Sequence, residues 1–171
     1  MDRSCSLTAV ATILVLALAP SAGAATRLRL DGIGPLSLGM KRAPALATDW
    51  LGNRRTGCPL GGPPLPIDYQ LTGPKAPAGV RGNAEFDGGR LRTLSFSRGV
   101  STAVGVTVGK TSTKRMVARY RATGYRVRSQ YFGTFQGTFV TVTKNGKAVI
   151  GGFGVRGTIA TLGIPAIPVC E

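Results

Sequence analysis

The chain has 171 residues and no histidine. That single absence removes Ser-His-Asp, Cys-His and ordinary zinc arrangements together. The remaining reactive side chains are poorly spaced for turnover. Thr111 or Ser112 with Lys114 makes a loose Ser–Lys-type pair, but a hydroxyl there serves equally well as a helix cap. Glu85 and Asp87 lie close enough to share a strand face, and glycoside hydrolysis needs two acids facing each other across a sugar. Asp87, however, opens a turn, and turn chemistry accounts for it. Gly105-Val106-Thr107-Val108-Gly109-Lys110-Thr111 approximates a phosphate loop, with one residue too few between its glycines to close the backbone cradle. No catalytic residue, metal ligand, nucleotide or cofactor is therefore assigned.

Binding is better supplied. Lys110, Lys114, Arg115, Arg119, Arg121, Arg126 and Arg128 follow one another with no acid among them. Met116, Val117 and Tyr120 recur at helical spacing and take the buried side, which leaves Lys114, Arg115 and Arg119 pointing outward. Tyr125, Val127, Ser129 and Tyr131 share one strand face, opposite Arg126, Arg128 and Gln130. Arg beside aromatics is what protein interfaces and anionic polymers both use. The candidate binding surface is Lys114, Arg115, Arg119, Arg126, Arg128, Tyr131 and Phe135. The formal charge of +15 strengthens attraction to phosphate, carboxylate and sulfate groups and disfavours self-association, so a monomer is expected. Part of that excess has a blander origin, because Arg, Ala, Gly and Pro together are what a GC-rich genome encodes.

Residues 1–25 read as a secretory signal. Arg3 precedes the charge-free run Leu7 to Ala19, Pro20 breaks it, and Ala22-Gly23-Ala24 supplies small side chains for cleavage. No later segment is long enough to anchor the chain, so a secreted or wall-associated protein is expected. Cys5 leaves with the signal. Cys58 and Cys170 are then the possible disulfide pair, closing a loop of about 100 residues and contributing about 4 kcal/mol by the chain-entropy estimate.

The elements that position these residues look duplicated. Leu36-Ser37-Leu38-Gly39-Met40 is matched by Val106-Thr107-Val108-Gly109-Lys110, and Leu46, Ala47 and Trp50 by Met116, Val117 and Tyr120. Phe86, Leu91, Thr93 and Leu94 correspond to Phe153, Ile159, Thr161 and Leu162, with one extra residue in the second turn. Each unit reads as strand-like entry, Gly turn, short helix, then antiparallel strands. The first helix starts at uncapped Lys41 with Pro44 in its first turn and stops at Gly52. The second is capped at Thr111 or Ser112 and stops at Gly124. Asp87-Gly88-Gly89 and Asn145-Gly146 predict hairpins. Residues 57–79 read as Pro/Gly-rich loops, and Val100 to Ala103 as the junction between units. The prediction is α+β: two tandem units, each a short helical segment packed on a small antiparallel β-sheet, over 26–99 and 100–171.

Gly34-Pro35-Leu36-Ser37-Leu38-Gly39-Met40, followed by an amphipathic helix, resembles the repeat of small secreted actinobacterial proteins of the beta-lactamase inhibitory protein type. It also resembles outer-membrane assembly lipoproteins of the SmpA/OmlA (BamE) type. The usual Thr after Gly-Met is Lys41 here, and no lipidated Cys is present. The resemblance implies a fold and a habit of binding other proteins, with no contact residue carried over. The functional expectation is thus a secreted, non-catalytic binding module, inhibitor-like or envelope-associated, whose partner is a protein or an anionic cell-envelope component. The alternatives are a secreted hydrolase using carboxylates or a Ser/Thr–Lys pair, and a purely structural wall protein.

Overall fold

A computed structural model describes residues 25–57 and 64–168. The signal segment through Ala24 and the Cys58–Cys170 pair lie outside the described residues. The order of elements is β1 (Thr26–Leu28), β2 (Gly32–Ile33), β3 (Leu36–Ser37), α1 (Arg42–Leu46), β4 (Gly52–Thr56), β5 (Ile67–Gln70), β6 (Arg81–Asp87) and β7 (Arg90–Arg98). Then come β8 (Val100–Thr102), α2 (Thr113–Ala122), β9 (Arg126–Phe132), β10 (Gly137–Lys144), β11 (Lys147–Val155) and β12 (Thr158–Ile164).

The strands form two sheets, one in the order β3-β2-β1-β8 and one in the order β4-β5-β6-β7-β12-β11-β10-β9. This overturns the α+β prediction of two helix-on-sheet units. Among the described residues 50% are strand and 11% helical, and the large sheet runs unbroken through both halves of the chain. The join is made by β7 and β12, where Phe96 lies opposite Leu162, Ser95 opposite Gly163 and Leu94 opposite Ile164. The expected junction at Val100 is itself the strand β8, running parallel to β1 at the start of the chain.

The first helix is shorter than its sequence suggests, for local reasons, while the second runs from Thr113 to Ala122 between its expected cap and stop. Lys41 stands at the start of α1 with no side-chain cap, and the helix ends at Leu46. Asp49 then takes a left-handed φ of 59°, which an α-helix cannot continue through. Trp50 consequently lies outside α1, its ring seated where a side chain on Gly34 would be. Gly52 opens β4 instead of stopping a helix. Two strands, β4 and β5, occupy chain that reads as loop, because Ile67 and Tyr69 alternate with Asp68 and Gln70 over too short a span to stand out. In α2 the cap is Ser112, whose hydroxyl accepts from the Arg115 N–H at 3.2 Å. Thr111 instead accepts from the Thr107 N–H at 2.9 Å and closes the preceding turn.

Bulges set which residues turn inward. In the β6–β7 hairpin Glu85 faces Thr93 and Phe86 faces Leu91, so Arg92 is left over and the alternation changes phase. Leu91, Leu94 and Phe96 are therefore all buried, although strict alternation would separate Leu91 from the other two. The β11–β12 pair has the same irregularity, with Phe153 opposite Thr161 and Gly154 opposite Ile159. Register thus equates Phe86 with Gly154 rather than with Phe153, and the extra turn residue inferred from sequence disappears. Backbone bonds around the glycines also match: Gly39 N–H donates to Leu91 O, and Gly109 N–H to Ile159 O. Arg42 N–H donates to Gly89 O, and Thr113 N–H to Gly157 O, which pairs buried Ala45 with buried Met116. The helical match read from sequence is off by one.

One face of the large sheet, which we call inner, carries Leu91, Leu94, Phe96, Val140, Val142, Ile150, Ile159, Leu162 and Ile164. Met116 of α2 lies against it at Gly152, where a β-carbon would sit 2.6 Å from the Met116 sulfur. Leu28, Ile33, Leu36 and Val100 of the small sheet and Ala45 of α1 complete a single buried cluster. Among the described residues no helix lies on the opposite, outer face. That asymmetry positions the site.

Candidate functional site

The outer face takes its residues by simple alternation along β9, β10 and β11. Across these strands Gln130 lies opposite Phe139 and Phe139 opposite Phe153, so the three share one row. Phe132 and Phe135 close on Phe139 edge to face, with ring centroids 5.3 and 5.7 Å away, and Phe153 lies tilted at 4.7 Å. Gly137 makes this possible: a β-carbon there would fall 2.3 Å from the Phe153 ring. Phe132, Phe135 and Phe139, with Arg128 and Gln130 at the sheet edge, border a hollow of about 470 Å³. Its far wall is Ala166 and Ile167 of the C-terminal tail.

The tail reaches that wall by lying flat on the sheet. Side chains on Gly151 or Gly163 would strike it, since a β-carbon at Gly151 would sit 2.6 Å from Ile167 N and one at Gly163 2.4 Å from Ala166 O. On β4 to β7 the same outer face is polar. A hollow of about 760 Å³ there is lined by Arg55, Gln70, Asn83, Ser95, Arg81 and Arg98 among others. Arg55 donates to Asp68 at 2.8 Å and to Asn83 at 3.1 Å, so its charge is engaged. Burial pushes the Asp68 carboxyl above its usual range, with the Arg55 hydrogen bond and charge and the Tyr69 N–H acting against it.

The residues read from sequence as one binding surface occupy three places. Lys114 and Arg115 are exposed on α2. Arg119, on the same helix, is half-buried and donates to Gly105 O, so it braces the loop before α2 and is not a free cation. Tyr131 is 65% exposed and projects from the inner side of β9, beyond the reach of the core. Arg126 and Arg128 are exposed on the outer side of β9, and Arg128 and Phe135 meet at the smaller hollow. The candidate surface read from sequence did not include Phe132, Phe139 and Phe153. The first two were legible as alternating strand residues. Phe153 was hidden by its apparent match to buried Phe86.

The Ser112 and Thr111 hydroxyls accept backbone N–H groups as described, and Glu85 lies opposite Asp68 across β5 and β6, while Asp87 is exposed at the hairpin end. Among the described residues no group of His, Cys, Asp and Glu could hold a metal ion. No helix among them is long and apolar enough to cross a membrane. No protein family, curated protein or solved structure matches the chain.

Proposed function

We propose that the protein is an exported, non-catalytic binding module that docks a partner protein on the outer face of its large sheet. The observation that carries this reading is the aromatic row of Phe132, Phe135, Phe139 and Phe153, exposed at Phe132 and bordering a hollow beside Arg128. Among the described residues no helix covers this sheet face, and Phe132 remains 38% exposed at the end of the row. Desolvating such rings against a partner supplies affinity, and a neighbouring Arg supplies orientation. An anionic polymer with no ring faces to stack would use the arginines but would have little use for the phenylalanines. The signal-like residues 1–25 support export, and the resemblance noted from the Gly-Pro-Leu-Ser-Leu-Gly-Met segment supports contact as the mode of action.

The test is affinity capture from the producing cells' envelope and medium with purified protein, followed by identification of what is held. Phe139→Ala and Arg128→Glu should each weaken capture at least tenfold, whereas Lys114→Glu with Arg115→Glu on α2 should leave it nearly unchanged. Capture lost with the α2 pair and kept with the outer-face variants would move the site to the helix. Release of the bound material by salt alone, insensitive to Phe139→Ala, would indicate an envelope polymer instead.

A further inference from the structure

The large sheet has two edges, and they differ. At one end β4 is broken by a bulge between Gly52 and Arg54, with Asn53 at a left-handed φ of 43°. Such irregularity blunts an edge against pairing. At the other end β9 runs through seven residues, Arg126 to Phe132, in unbroken register with β10. It has no Pro and no bulge, and among the described residues no strand pairs with its free side.

Hydrogen bonds identify which backbone groups β9 leaves open. The Thr143 hydroxyl donates to Arg126 O at 3.3 Å from β10, so the backbone of Arg126 faces inward along the sheet. Arg121 of α2 donates to Val127 O at 3.3 Å from outside, so the backbone of Val127 faces away from β10. Successive residues alternate, which turns the N–H and C=O groups of Ser129 and Tyr131 outward as well. The side chains beside this open ladder are Arg126, Arg128, Gln130 and Phe132 on the outer face. No acidic residue lies between Asp87 and Glu171.

We infer that β9 accepts an extended, acidic segment of the partner protein as a ninth strand of the large sheet. The inference rests on the outer-face reading and names the chemistry of its partner. In an antiparallel pairing, directly opposed residues share a face. Residues opposite Arg126 and Arg128 are then carboxylates, and the residue opposite Phe132 is apolar and reaches the aromatic row. Read from its own N-terminus, the added strand is apolar-x-polar-x-acidic-x-acidic. A second copy of this chain is the wrong occupant: fully overlapped antiparallel β9 strands set Arg126 against Phe132 and Arg128 against Gln130, with no carboxylate for either arginine, and two molecules of charge +15 repel.

The probe is the blocked heptapeptide Leu-Thr-Gln-Thr-Glu-Thr-Glu, fluorescently labelled and titrated with purified protein. Saturable binding is expected, weakened at least tenfold when the Thr amides that would face Ser129 and Tyr131 are N-methylated. Ser129→Pro should weaken the unmodified peptide similarly, since Pro is tolerated where an edge N–H points to solvent. The methylated peptide keeps the test decisive should that variant fold poorly. Equal binding of the methylated peptide, or no saturable binding, overturns the inference. So does a concentration-dependent dimer of the peptide-free protein that Ser129→Pro abolishes. Capture that still needs Phe139 while N-methylation has no effect leaves the outer-face reading standing and removes strand addition alone.

Discussion

Gly151 and Gly163 are small because a segment of chain lies on them. Gly163→Ala places a methyl 2.4 Å from Ala166 O, and neither backbone can yield without lifting the tail. The expected cost is about 1–3 kcal/mol, read from urea unfolding, with faster proteolytic loss of the residues after Pro165. The smaller hollow should widen at the same time, since Ala166 and Ile167 form its wall. Unchanged stability and an intact tail would show that the tail does not rest there. Tyr120 gives a residue-scale prediction of another kind. Burial beneath α2 pushes its phenol up to about 12, with the nearby Tyr125 adding to the shift and the Thr102 hydroxyl opposing it. The folded pKa lies above the unfolded value of about 10. The stability due to the neutral phenol is therefore complete below pH 10 and is lost as pH rises from about 10 to about 12, on the order of 3 kcal/mol in all. Tyr120→Phe should flatten that stretch of the stability–pH curve, measured by chemical denaturation; an unaltered slope would place the effect elsewhere.

The two helices start in matching brackets, Arg42 N–H on Gly89 O and Thr113 N–H on Gly157 O, yet their caps differ. Ser112 caps α2 through its hydroxyl, while Lys41 offers α1 no acceptor and places a cation at the positive end of the helix. Ser112→Ala should cost about 1 kcal/mol, and Lys41→Asp should add up to about 1 kcal/mol, both measured as shifts of the denaturation midpoint at constant m. A destabilising Lys41→Asp would mean that the side chain at this position acts on something other than the helix end. These elements also show what the sequence could and could not reveal. Hairpins at Gly88-Gly89 and Asn145-Gly146 were readable because positive φ demands such residues, and both turns have it. The second helix was readable from Met116 and Tyr120, which are buried together. The first was overextended through Trp50, because apolar spacing cannot report that Asp49 turns left-handed. Bulges were invisible, and with them the inward phase of Leu94 and the outward placement of Phe153. The fold class failed for the same reason at larger scale. Alternation reports that strands exist, whereas the pairing of β7 with β12 depends on contacts remote in sequence. Of the candidate site, Arg128 and Phe135 were legible as an Arg–aromatic neighbourhood; Arg119 was not, since its bond to Gly105 O arises from a loop it meets only after folding.

At the scale of the molecule, the β7–β12 seam decides how the halves unfold. Phe96 and Leu162 face each other across it, both fully buried, and β8 from the second half is hydrogen-bonded to β1 from the first. A single buried cluster spans both sheets and both helices. Neither half can open without exposing that cluster and stripping a long strand of its partner, so unfolding should be one cooperative transition. The chain supplies its own two probes. Trp50 is the sole tryptophan and belongs to the first half, packed at Gly34; Tyr120 and Tyr125 meet edge to face at 5.6 Å in the second. Trp50 fluorescence and the ring proton resonances of Tyr120 and Tyr125 should give the same midpoint in a urea titration. Phe96→Ala should lower both midpoints together, with a loss of about 3–5 kcal/mol, because the cavity it leaves lies at the join. Separate midpoints, or a Phe96→Ala effect confined to the tryptophan signal, would mean that the seam is a contact between two independently folding bodies and that the sheet's continuity contributes little to stability.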